Sequence, residues 1–91
     1  MPVFLISYDL VKENSSHDYE PLWAELKRLD AVRTLLSEWY ADLENTAQEA
    51  YDHFRSYIDK NDRLLVIEVT KKPVWNQGLQ GTKAFIDARF P

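Results

Sequence analysis

The stretch VFLISYDL, Val3 to Leu10, is apolar or aromatic at six of its eight positions, yet it carries a carboxylate, Asp9, near its end. Period-two alternation puts Val3, Leu5, Ser7 and Asp9 on one face of a strand and Phe4, Ile6 and Tyr8 on the other. If two copies of such a strand meet about a two-fold axis at the Asp9 end, two carboxylates approach each other. Like charges so placed repel, raise a pKa or hold a cation between them. Carboxylate and water oxygens suit Mg²⁺ or Mn²⁺, and metal-assisted phosphodiester cleavage is chemistry that such a site supports. The plainer alternative is that Asp9 ends the strand and hydrogen-bonds the loop after it.

Few other groups could assist. Lys12, His17 and Arg33 are the nameable neighbours of Asp9. His17, in the polar loop KENSSHD, could act as a general base or a second ligand. His53 lies between Asp52 and Phe54, off the apolar stripe of its helix, and is expected to face solvent. Ser15, Ser16 and Ser37 have no His and carboxylate in a plausible order, so a hydrolase triad has no support. Gly78-Leu79-Gln80-Gly81 spells the GxxG that clamps a nucleic-acid backbone in KH domains, but it follows a strand and reads as a turn before a last helix. Trp23, Trp39, Trp75 and the five tyrosines could stack bases. Trp23 falls on a helix stripe, and Trp39 and Tyr40 must point to opposite sides of their strand, so one exposed aromatic suits an interface at least as well.

The chain that positions these groups has 91 residues, 45% hydrophobic and 29% charged, with no cysteine. That is one domain, hiding only roughly 60–65% of its unfolded surface on folding. Without cysteine there is no disulfide framework and no thiolate nucleophile or metal ligand. No apolar run approaches the ~20 residues of a membrane span, and no basic segment leads into a signal-like run; a cytoplasmic protein is expected. The net charge of −4 sets the phosphate-neutralising component of nucleic-acid affinity against the chain.

Apolar Tyr19, Leu22, Trp23, Leu26 and Leu29 recur at helical spacing, with Ser16 or Asp18 as cap and Pro21 tolerable in the first turn. Thr46 and Glu49 have capping-box spacing ahead of a second stripe, Ala47, Ala50, Tyr51, Phe54 and Ile58, which Asn61 can end. Between the helices, Ala31 to Glu44 reads as two strands turning near Ser37-Glu38. Asp62 to Thr70 reads as another strand. The tail, Lys71 to Pro91, carries a turn at Asn76–Gly81 and a short helix through Ala84, Phe85 and Ala88.

The order predicts an α+β, ferredoxin-like βαββαβ domain: a four-stranded antiparallel sheet, both helices on one face and a short C-terminal helix. One domain spans 1–91, with its core at about 2–70 and an extension at 71–91. Helices cover one face of that sheet, so its strands should alternate. Val3-Phe4-Leu5-Ile6 and Leu64-Leu65-Val66-Ile67 do not. Both are expected as neighbours at the sheet centre, wanting cover on both faces. A second copy packed sheet to sheet supplies it; the alternative cover is the tail, with Trp75, Leu79 and Phe85.

The residues Ile6 to Leu10 with Lys12, Asp18-Tyr19, Ser37-Glu38-Trp39, and Ile58 to Thr70 followed by Trp75 resemble, in order and spacing, the Cas-two-like superfamily. This comprises the small CRISPR adaptation proteins, the VapD-type ribonuclease toxins and small proteins labelled "SinR family", the last being most alike. The resemblance runs from about Val3 to Trp75. It implies a ferredoxin-like fold, a sheet-to-sheet homodimer and a metal-dependent endonuclease, RNA being the expected substrate, with Asp9 as metal ligand and Tyr8 beside it in the catalytic site. Ser37 and Trp39 match a motif whose role looks structural. The chain departs from the pattern where Glu20, Glu25 and Asp30 accompany Lys27 and Arg28 on a first helix that in the family's nucleases is basic. A non-catalytic dimeric module that binds a protein or nucleic-acid partner is the alternative function.

Overall fold

The computed structural model describes residues 2–9 and 20–91. Their elements run β1 (Val3–Asp9), α1 (Glu20–Arg28), β2 (Val32–Leu35), β3 (Glu38–Asp42), α2 (Ala47–Arg55), β4 (Arg63–Val69) and α3 (Thr82–Arg89). The fold is α+β: a four-stranded antiparallel sheet in the order β2-β3-β1-β4 with three helices. The caps expected at Ser16 or Asp18, together with Lys12, His17 and Tyr19, lie outside the described residues.

Alternation along β1 sorts the core. Phe4, Ile6 and Tyr8 point to one face, where they meet Trp39 and Ala41 of β3, Leu22 and Leu26 of α1, and Ala50 and Phe54 of α2. Each fully buried side chain of this size contributes roughly 1.5–3 kcal/mol. Leu64 and Val66 of β4 join from the rim. On the opposite face Val3 is buried under Phe85 and Ile86 of α3, with Val32, Tyr40 and Val69 around them. The tail therefore does fold back, but only over the Val3 end. Leu65 and Ile67, on the same face further along, stay about half exposed.

One expectation is corrected by the strand order. β4 is an edge strand bonded to β1 alone, not a central strand. Its unbroken apolar run has one covered face and one open one. The exposed Arg63 and Glu68 charge that edge, as free edges commonly are.

The helices end for local reasons. α1 closes with Asp30 in the left-handed region (φ 59°), while the Asp30 and Ala31 amides bond the Lys27 and Leu26 carbonyls at 3.0 Å each. That pair of bonds is a Schellman closure, here with Asp where Gly is usual. α2 starts on the expected capping box: the Glu49 amide donates to Thr46 Oγ1 (3.1 Å) and the Thr46 amide to Glu49 Oε1 (2.9 Å). Thr46→Ala should cost about 1 kcal/mol, measurable as a lowered urea midpoint. α2 stops at Arg55, short of Asn61, because the Ser56 hydroxyl takes the His53 carbonyl (2.7 Å) and the Asp59 amide turns to the Asp62 carboxylate (2.9 Å). The β2–β3 turn is Leu36-Ser37, one residue earlier than expected, and Glu38 already begins β3.

β2 carries an irregularity between Arg33 and Leu35. It leaves the Thr34 carbonyl to accept the Leu79 amide at 2.8 Å, which ties the tail to the edge of the sheet. From there Gly81, at φ 96°, turns the chain into α3.

Candidate functional site

Asp9 ends β1 opposite Arg63 of β4, and the Arg63 Nη1 donates to its Oδ2 at 3.1 Å. Both side chains are more than two-thirds exposed (74% and 71%), so the pair is solvent-screened and adds little stability. A shallow hollow of about 290 Å³ between Ser7, Tyr8, Asp9, Arg63, Leu64 and Leu65 adjoins it. Among the described residues no cluster of three His, Cys, Asp or Glu is poised to hold a metal. One carboxylate already paired with a guanidinium does not fit Mg²⁺ or Mn²⁺ within a single copy, since such ions want several oxygen ligands. Arg33 lies on β2, with β3 between it and β1.

Tyr8, the other residue expected in the catalytic site, faces the core. Its hydroxyl oxygen accepts from the Trp23 indole (2.8 Å) and the buried Trp39 indole (3.1 Å), and it donates to the Leu36 carbonyl at 3.5 Å. Three elements and the β2–β3 turn thus converge on one phenol. The Tyr8 amide also donates to the Ser37 carbonyl (3.1 Å). The Ser37-x-Trp39 pattern therefore serves to seat Tyr8.

A second cluster escaped the sequence. Glu25 of α1 is buried, and its carboxylate takes Arg28 through Nε and Nη2 (2.7 Å each) and the His53 Nε2 of α2 at 2.6 Å. His53 is thus an inter-helix contact, half exposed, rather than a free surface histidine. It also lines a hollow of about 330 Å³ with Arg28, Asn45 and Glu49. The Arg28 hydrogen bonds, aided by His53 and opposed by burial, hold the Glu25 carboxyl down at about 2. A depressed carboxylate pKa stabilises the fold fully above its ordinary value of 4.5, and that contribution fades as the pH falls toward 2. Urea midpoints should therefore drop from pH 5 to pH 3, and Glu25→Gln should show a shallower drop over that interval.

The uncovered part of the second sheet face completes the inventory. Leu5 stands opposite Ile67 on one side and Tyr40 on the other, and Ser7 stands between Leu65 and Glu38. Ser7 Oγ donates to Glu38 Oε2 at 3.3 Å. Tyr40 stacks on Phe85 (centroids 6.0 Å apart), and burial followed by the Glu38 charge raises its phenol pKa. Arg63 borders this patch at one margin and Glu38 at the other.

No protein-family model matches the chain, and no solved structure matches it. The class that the fold defines is a small α+β domain with one sheet face built into a core and the other half roofed by its own C-terminal helix. Among the described residues no helix is long and apolar enough to cross a membrane.

Proposed function

We propose that the chain is a ferredoxin-like, non-catalytic module that works as a homodimer, two copies packing through the open half of the second sheet face. The observation that carries this is the apolar strip of Leu65 (55% exposed) and Ile67 (52%) beside Leu5. Such a strip next to a free edge is costly to leave in water. A second copy is the occupant that brings a matching apolar strip to this one. A two-fold axis through the strip sets Leu65 and Ile67 of each copy against the same residues of the other. The strand order β2-β3-β1-β4 is the order a ferredoxin-like plan requires, and α3 is an addition to it. The resemblance to the Cas-two-like proteins, which implies a sheet-to-sheet homodimer, supports the same reading. Net charge disfavours nucleic acid as the partner.

The test is a light-scattering mass for the wild type, followed by incubation of a mixed RNA and DNA panel with and without Mg²⁺ or Mn²⁺. The expected result is a mass of twice 10.7 kDa and no metal-dependent cleavage that Asp9→Ala removes. Cleavage lost in Asp9→Ala, with the dimer intact, would replace this proposal with a metal-dependent endonuclease centred on Asp9.

A further inference from the structure

The edge of the sheet at β2 holds a groove of about 580 Å³ between α1, β2 and the tail, with Trp23, Trp39, Val32 and Leu79 among its walls. Among the described residues Lys27 and Arg33 are the only charged ones that line it, and no carboxylate does. In a chain of net charge −4 this is an uncompensated pair of cations beside an apolar surface.

The cations are arranged differently. Arg33 is fixed: Nε donates to the Leu36 carbonyl at 3.0 Å, Nη2 donates to the same oxygen, and the guanidinium carbon lies 4.7 Å from the centre of the Trp23 ring. A guanidinium bonded to a carbonyl and lying over an indole has given up much of its side-chain freedom already and keeps a planar set of donors for a ligand. Its Nη1 has no partner among the described residues. Lys27 is exposed and likewise unpaired among them, a mobile charge able to close on a ligand. α3 begins at Gly81, in the groove wall, with no side-chain cap, so its first-turn amides add positive potential on the third side. Apolar walls, a guanidinium over an indole and no carboxylate among the described lining residues select for a flat apolar body with one anionic group.

We propose that this groove binds a flat aromatic anion. Its ring lies against Leu79, Val32 and the indoles, and its carboxylate, sulfonate or phosphate sits on Arg33 and Lys27. The site is separate from the open sheet face and stands whether or not that face pairs two copies.

The test uses 1-naphthoate as probe and uncharged 1-naphthalenemethanol as control, read by the three tryptophan indole N–H signals in proton–nitrogen NMR. Trp75→Phe assigns the signal outside the groove. Naphthoate should shift the Trp23 and Trp39 signals saturably, with Kd near about 1 mM for a fragment of its size. The alcohol should bind at least about tenfold more weakly, and Arg33→Met and Lys27→Met should each weaken naphthoate by a similar factor. Lys27→Met touches no described partner, so it remains informative if Arg33→Met loosens the turn. Absence of saturable shifts, equal affinity for the alcohol, or shifts unchanged in both variants would overturn the proposal. So would shifts removed by Leu65→Asp, which would place the probe on the sheet face instead.

Discussion

Leu65→Asp should halve the particle mass in light scattering, from twice 10.7 kDa to 10.7 kDa, while the circular dichroism spectrum stays unchanged. Leu65 stands on the open face, opposite Ser7 and next to Arg63, with 55% of its surface in water. In a single copy the substitution therefore changes a surface position, an effect usually within about 0.5 kcal/mol. In a pair of copies the symmetry repeats it, and two carboxylates enter an apolar contact with no described cation except Arg63 close by. Burying an unpaired charge outweighs what a strip of two or three aliphatic side chains returns. Leu36→Asp is the matched control. Leu36 is more exposed still (73%) but sits in the β2–β3 turn, away from the strip. A dimer that survives Leu65→Asp, or a wild type that scatters as a monomer, would remove the second copy from this face.

Tyr8→Phe should lower stability by about 1–3 kcal/mol without changing the mass of the particle. The substitution keeps the ring in the core and deletes one oxygen. That oxygen is the acceptor for two indole N–H groups, one on the fully packed Trp39 and one on the half-buried Trp23. The Trp39 donor is buried and cannot turn to water once the hydroxyl has gone, so leaving it unpaired bears a desolvation cost. For a domain of this size 1 kcal/mol moves the melting temperature by roughly 4–8 °C. Thermal unfolding followed by tryptophan fluorescence reports the loss directly, because two of the three tryptophans contact that hydroxyl. A Tyr8→Phe variant as stable as the wild type would mean that the hydroxyl is not what orders this cluster.

Local rules carried much of the fold. Alternation in β1 separated Phe4, Ile6 and Tyr8 from Val3, Leu5, Ser7 and Asp9 correctly, because a strand's period is fixed by its pleat. The Thr46–Glu49 capping box was legible for the same reason: its partners are three residues apart. What stayed hidden depends on long-range register. Arg63 answers Asp9 across 54 positions of sequence, and only the β1–β4 pairing brings them together. Glu25 and His53 are 28 residues apart on different helices, and each looks like an ordinary surface residue until α1 and α2 share the sheet. Leu64 to Ile67 pointed to the sheet centre, and the strand order puts them at an edge. A continuous apolar run signals burial on both faces, yet here it lies at an edge with one face bare, and composition cannot distinguish a buried strand from one awaiting a partner. Tyr8 entered the expected site through the family resemblance alone, while the alternation already put it on the face opposite Asp9, where its hydroxyl meets the two indoles.

The half-roof made by α3 has a mechanical consequence. Phe85 and Ile86 rise from the second face as a step at the Val3 end. A sheet arriving on Leu65 and Ile67 can slide along the strands only until it meets that step. In the proposed dimer the C-terminal helix would act as an end-stop, limiting how far the partner sheet can shift toward the Val3 end. Without α3 the bare strip would lengthen to include Val3, Tyr40 and Val69, and several offsets two residues apart would compete on nearly equal terms. In such a dimer those last residues would restrict alignment more than they would strengthen contact.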